Sequence, residues 1–139
     1  MEKKIQKHSV VMAITLALLF IFGMYIAAFV ELPETGSVWG SVQTSFPLLL
    51  HVIVGCLVPF DGVQIMVIAW KTKQKKVRTV AGLGLLGMVV AMLGGAYFME
   101  AQNELSSFIM ALGFLVSIIA YMVLANFKVF QENSSEITN

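Results

Sequence analysis

Apolar residues fill four long stretches of the chain, about residues 10–30, 46–70, 80–98 and 105–129, and polar residues collect between them. As a helix, each stretch is long enough to cross a hydrocarbon layer of roughly 30 Å. Core helices of water-soluble domains are rarely so long and so uniformly apolar. The pattern predicts an all-α, polytopic membrane protein: an antiparallel bundle of four transmembrane helices forming one domain over residues 1–130. A flexible polar tail, QENSSEITN, covers residues 131–139. The first stretch exceeds the roughly 7–15 residues of a secretory signal's apolar core, so it is expected to remain as an uncleaved span.

Small residues recur at helical spacing within these stretches and suggest how they pack. Gly55 and Gly62 share a face with His51 in the second. Gly84, Gly87, Ala91, Gly94 and Gly95 line one side of the third, and Ser106, Gly113, Ser117 and Ala120 one side of the fourth. The first offers Gly23 and Ala27. Between apolar helices in lipid, small side chains let backbones approach closely and replace the missing hydrophobic drive. Pro47 suits a helix start, and Pro59, midway along the second stretch, predicts a kink.

Composition agrees with the pattern: 58% of residues are hydrophobic and 12% charged, against about half and about a quarter in soluble domains. The placement of charge adds orientation. All nine Lys and Arg fall in three places: Lys3, Lys4 and Lys7; Lys71, Lys73, Lys75, Lys76 and Arg78; and Lys128. The connections at 31–45 and 99–104 hold acids and no base. Basic segments stay on the cytoplasmic side, so both termini and the middle loop are expected in the cytoplasm, with the protein multi-pass in the cell membrane. A net charge of only +1 argues against a nucleic-acid partner. The same layout disposes of LPETG at 32–36, which matches a wall-sorting signal. Such a signal precedes one final span and a short basic tail, whereas here three more spans follow. Pro33 and Gly36 read instead as turn formers that stop the first helix. The single Cys56 excludes a CxxC redox pair and reads as a packing residue.

Two polar positions inside the predicted spans are candidates for chemistry. Asp61 lies near the middle of the second, where an acid costs about 2.5–3.5 kcal/mol to insert, and no Lys or Arg lies within the spans to offset it, Lys128 falling at the very end of the fourth. It is expected to be a neutral acid bonded to Gln64 or to backbone freed by Pro59. The alternatives are a proton or cation site of Asp61 and Gln64, or a contact with a partner subunit. His51 lies about one turn inside the outer end of the same helix. It is either a simple hydrogen-bonding residue or a metal ligand, above all to haem iron, and Gly55 one turn inward leaves room for a flat macrocycle. His8 falls on the opposite side of the membrane, so a second axial ligand must be Met99, Met110 or a histidine from a second chain. The polar run MEAQNELSSF supplies Asn103 or Ser106 as a helix cap, and Gln102 and Asn103 can receive propionates or another polar ligand edge.

The segments YIAAFVELPETGSVWG and FPLLLHVIVGCLV, followed by a glycine-studded span, resemble one four-helix half of haem A synthase. The likeness covers about residues 23–95. It implies a span ending in a Thr-Gly-Ser loop, here Thr35, Gly36 and Ser37, and a histidine at the head of the next helix, here His51. The chain departs from that family at Val52, where an arginine usually follows the histidine, and at Pro47, which is not the family's glutamate. The fourth span also lacks the histidine that supplies the family's second haem ligand. The bundle and one axial ligand carry over.

Two classes of function follow. One is a haem-binding or haem-related, cytochrome-like subunit built around His51, with haem as cofactor. The other is a non-enzymatic accessory subunit of a membrane complex, or a small proton-coupled carrier that uses Asp61. Partners are the bilayer and either other membrane subunits or further copies of the chain. No nucleophile–base pair or phosphate loop marks a soluble-type enzyme.

Overall fold

A computed structural model describes residues 2–31, 38–72 and 74–126. The readings of LPETG, Pro33, the Thr35–Ser37 loop, Lys73, Lys128 and the polar tail lie outside the described residues. Five helices occur in order: α1 (Glu2–Phe29), α2 (Trp39–Val42), α3 (Phe46–Lys71), α4 (Lys75–Ala101) and α5 (Glu104–Ala125). No strand is present among the described residues. All but α2 are long and apolar enough to cross a membrane.

The helices extend beyond the apolar stretches where the flanking sequence favours helix. α1 runs back through Lys7, Lys4 and Lys3 to Glu2, because Lys, Gln and Glu are good helix formers once a neighbouring turn is nucleated. α4 likewise takes in Lys75, Lys76 and Arg78, so the basic run is mostly helix and only a short turn joins α3 to α4. α3 begins with Pro47 in its first turn and continues unbroken through Pro59. α4 ends at Gln102, in left-handed conformation at φ 49°. Asn103 then caps α5, its side-chain oxygen accepting from the Leu105 N–H at 2.9 Å. Of the two expected caps, Asn103 holds that role, while the Ser106 hydroxyl donates to the Asn103 carbonyl.

The four long helices form a ring in which α1 and α4 each pack against both α3 and α5. One end of the ring carries the lysines that open α1 and flank the α3–α4 turn. The other carries Glu31, Glu100 and Glu104 together with α2, and we call these the basic and acidic ends. α4 and α5 make the closest pair, and the contacts of α3 with its neighbours are the sparsest. The glycine stripe explains the first fact. A Cβ added to Gly113 would stand 2.6 Å from the backbone nitrogen of Ala91 and the carbonyl oxygen of Gly87, and one on Gly94 would stand 2.9 Å from the nitrogen of Met110. Only glycine permits this approach. The Ser117 hydroxyl lies 2.9 Å from the carbonyl oxygens of Gly84 on α4 and Gly113 on its own helix, either of which accepts its proton.

Tyr121, fully buried, stands one turn beyond Ser117 and packs on Gly84 and Gly62. The main apolar cluster continues from there through Leu16, Ile65, Met88 and Leu124. A second cluster at the acidic end joins Ile26, Val38, Val42, Leu48 and Met99. There the Val38 N–H donates to the Met99 carbonyl at 2.7 Å, which ties the segment before α2 to the end of α4.

Candidate functional site

α5 occupies the glycine face of α4, and α3 borders a void over the half of the bundle nearer the acidic end. A cavity of about 260 Å³ opens there among α1, α3, α4 and α5. Its wall is almost wholly apolar; His51 and Ser107 are its polar side chains apart from the Trp39 indole. That volume is just under the roughly 300–1,000 Å³ usual for drug-sized ligands. Met88, Met92, Met99 and Met110 contribute four flexible thioethers to the same wall, which suits a site that adapts its shape.

His51 reaches the cavity from the first turns of α3, and its imidazole is positioned by α1. A Cβ on Gly23 would lie 3.0 Å from Cε1 and 3.5 Å from Nε2 of His51, so the missing side chain at Gly23 is what admits the ring. Phe22 adds a tilted ring contact at 6.1 Å between centroids. The Nδ1 atom is buried and has no hydrogen-bonding partner among the described residues. Leaving such a group unpaired costs about 1–3 kcal/mol, and because the atom is covered by its surroundings the ring must turn before a ligand in the cavity can engage it. The half-buried imidazole in an otherwise apolar wall is what makes the cavity a candidate site.

The other expected site residues separate into those the cavity includes and those it does not. Gly55 lines it, and a Cβ there would meet nothing within 4 Å. Met99 and Met110 line it as well. Gln102 and Asn103 do not: they form the α4–α5 turn, and the Asn103 side chain is used as a cap. The glycine face of α4 does not border this space, since Gly84, Gly87 and Gly94 are buried against α5. Of that stripe only Ala91 and Gly95 reach the cavity. Phe22 was missed in sequence, and Gly23 was named there only as a small packing residue of the first span, not as the seat of His51. Among the described residues no three His, Cys, Asp or Glu side chains come together as a metal site.

Asp61 and Gln64 lie elsewhere. Both are exposed on the outward flank of α3, outside the cavity wall. Among the described residues no hydrogen bond joins Asp61 to Gln64 or to the backbone near Pro59. Cys56 is exposed too and edges the cavity. Since Asp61 is exposed and makes no hydrogen bond or ion pair among the described residues, Asp61→Asn is expected to change stability by less than about 0.5 kcal/mol. Unfolding of the detergent-solubilised variant beside the parent checks this, and a large loss would mean an internal partner for the carboxyl group.

Compared with protein-family models, curated proteins and solved structures, the chain matches none. The likeness to haem A synthase therefore rests on the residues quoted above.

Proposed function

We propose that the protein is a multi-pass subunit of the cell membrane that holds a flat, largely apolar cofactor in the outer half of the bilayer through His51. Haem is the candidate cofactor. The observation that carries the reading is the half-buried imidazole of His51 in the wall of a 260 Å³ apolar cavity, with its covered Nδ1 unpaired among the described residues. The charge layout supports the orientation, with the lysine-rich basic end in the cytoplasm and the acidic end outside.

The donor set suits haem. His51 would supply the imidazole, and Met99 or Met110 a thioether, a pairing that raises the potential of haem iron. When bound, the group would supply one-electron chemistry. The chain's own contribution is to exclude water with an apolar wall, to fix the imidazole between Gly23 and Phe22, and to leave the space in front of Gly55 open. The cavity takes part of a macrocycle, and a whole one needs more room than the present side chains leave.

The test is an absorption spectrum, oxidised and reduced, of protein purified in detergent after expression with ample haem. A Soret band that His51→Ala removes supports the reading. A colourless wild-type protein overturns the haem assignment. Orientation is checked separately in a Cys56→Ala background. Ser41→Cys or Gln102→Cys should react with an impermeant thiol reagent in intact cells, and Gln74→Cys should not. Labelling at Gln74→Cys would invert the topology.

A second reading is favoured by the outward position of Asp61, that of an accessory subunit in a membrane complex. A proton-coupled carrier is less well supported, because its essential acid would have to face an internal path, and Asp61 does not line the cavity.

A further inference from the structure

We propose that the cavity is filled from the lipid phase, through a slit between the acidic-end halves of α3 and α4, by a molecule dissolved in the bilayer. The inference rests on the reading of the cavity as a binding site. It gives that site an entrance and the kind of ligand the entrance admits.

The stripe of α4 that faces α3 runs through Gly82, Leu85, Met88, Met92 and Ala96, spaced three or four residues apart. Towards the basic end this stripe meets α3: Met66 lies against Gly82, and Leu85 and Met88 lie against Gly62. Met88 is buried there. One turn further on, Met92 is 43% exposed, and Ala96 after it is exposed too, although both line the cavity. On α3, the face that carries Met66 continues through Pro59 to Cys56, which is likewise exposed and in the wall. Residues that continue an interhelical stripe and are nevertheless exposed mark where two helices stop covering each other. The void therefore reaches the surface between α3 and α4, from near mid-span towards the acidic end.

The acidic end itself is roofed. Ile26, Leu48 and Met99 of the wall are buried in the second apolar cluster with Val38 and Val42. The 2.7 Å bond from the Val38 N–H to the Met99 carbonyl holds that roof to α4. Ala27 and Trp39 are the other exposed residues of the wall, and an entrance beside them would admit solutes from water instead.

The position of the slit selects its ligand. It opens within two apolar spans, so it faces hydrocarbon, where charged solutes are scarce and apolar ones collect. Cys56, Met92 and Ala96 put no charge on the rim. Inside, His51 and Ser107 offer hydrogen bonds on an apolar wall. An apolar ring compound with a polar edge, partitioned into the bilayer, is the class that fits.

The experiment uses the full chain in membrane vesicles and two photoactivated probes, each present on both sides of the membrane. Trifluoromethylphenyl diazirine partitions into lipid, and a sulfonated, impermeant analogue stays in water. Labelled residues are located by mass spectrometry, in the parent and in His51→Ala, which frees the cavity of the proposed ligand. The lipid-phase probe is expected to label Leu19 on α1 and Phe114 on α5, buried residues of the cavity wall, besides the outward Leu57. Ala96→Trp sets an indole at the rim and should abolish labelling at Leu19 and Phe114 while Leu57 stays labelled. Met92→Trp is a second plug at the same rim and should act alike, and Leu93→Trp, on the outward side of α4, should change nothing inside. All three fall on exposed positions, and denaturation by sodium dodecyl sulfate verifies the folded bundle. Inner labelling by the aqueous probe, inner labelling that survives both plugs, or none by either probe in either background would each overturn the proposal. Neither probe is the natural ligand, so the outcomes separate from the haem spectrum. Slit-dependent labelling of a colourless protein would keep the entrance and reject haem, and a Soret band with labelling indifferent to the plugs would reject the entrance alone.

Discussion

Gly113→Leu is expected to leave no folded bundle, and Gly113→Ala to lose about 2–3 kcal/mol, the upper part of the usual range for overpacking. The cause is the identity of the atoms in the way. An added Cβ would stand 2.6 Å from the Ala91 nitrogen and 2.6 Å from the Gly87 carbonyl oxygen, and 3.0 Å from the Ala91 Cα. All three are backbone of α4, so no rotamer change relieves the clash and the two helices must part. Parting them also lengthens the bond between the Ser117 hydroxyl and Gly84 and opens the packing around Tyr121. Gly55→Ala is the control, since a Cβ there meets nothing within 4 Å. It should be neutral or slightly stabilising through helix propensity. Denaturation by sodium dodecyl sulfate from a mild detergent measures both. Equal behaviour of the two variants would show that α4 and α5 do not meet at Gly113.

The second large effect is expected at the same control position. Gly55→Phe should abolish binding in the cavity while the bundle stays folded. Gly55 lies one turn from His51 with free space before it, so a phenyl ring can grow into the cavity without displacing backbone. An apolar ring in an apolar void is stabilising in itself, and the site is filled by the protein's own side chain. Folding is read by the same denaturation series and binding by ligand retained through purification. A folded Gly55→Phe protein that keeps its ligand would place the binding site elsewhere.

The sequence displays the bundle clearly because uniform apolar stretches and clustered lysines are local signals. The close pairing of α4 with α5 was foreshadowed by Gly87, Gly94, Gly113 and Ser117, whose spacing survives as contact. Which stripe meets which was not legible. Three helices carried small residues, and only the packing shows that α5 takes the glycine face of α4 and leaves the second helix free to border a void. The inward position of His51 was expected from its stripe, but its seat on Gly23 depends on the relative rotation of α1 and α3, which no local pattern records. Asp61 was read, from its cost in lipid, as a neutral acid bonded to Gln64 or to backbone near Pro59, with a proton or cation site or a partner-subunit contact as alternatives. That cost is the same on any side of the helix, so it could not reveal that the carboxyl group faces outward. Asn103 shows the opposite case: a cap is a local device, and it sits where the residue type indicated.

The central claim is that the cavity beside His51 is a binding site and not an empty space between poorly matched helices. It is tested most directly by native mass spectrometry of the protein released from its own membrane into the gas phase, beside His51→Ala and Gly55→Phe. The account predicts a discrete bound mass on the wild-type chain that both substitutions remove, each without loss of the folded bundle. A wild-type chain carrying no bound mass, or one whose bound mass survives both substitutions, would contradict it.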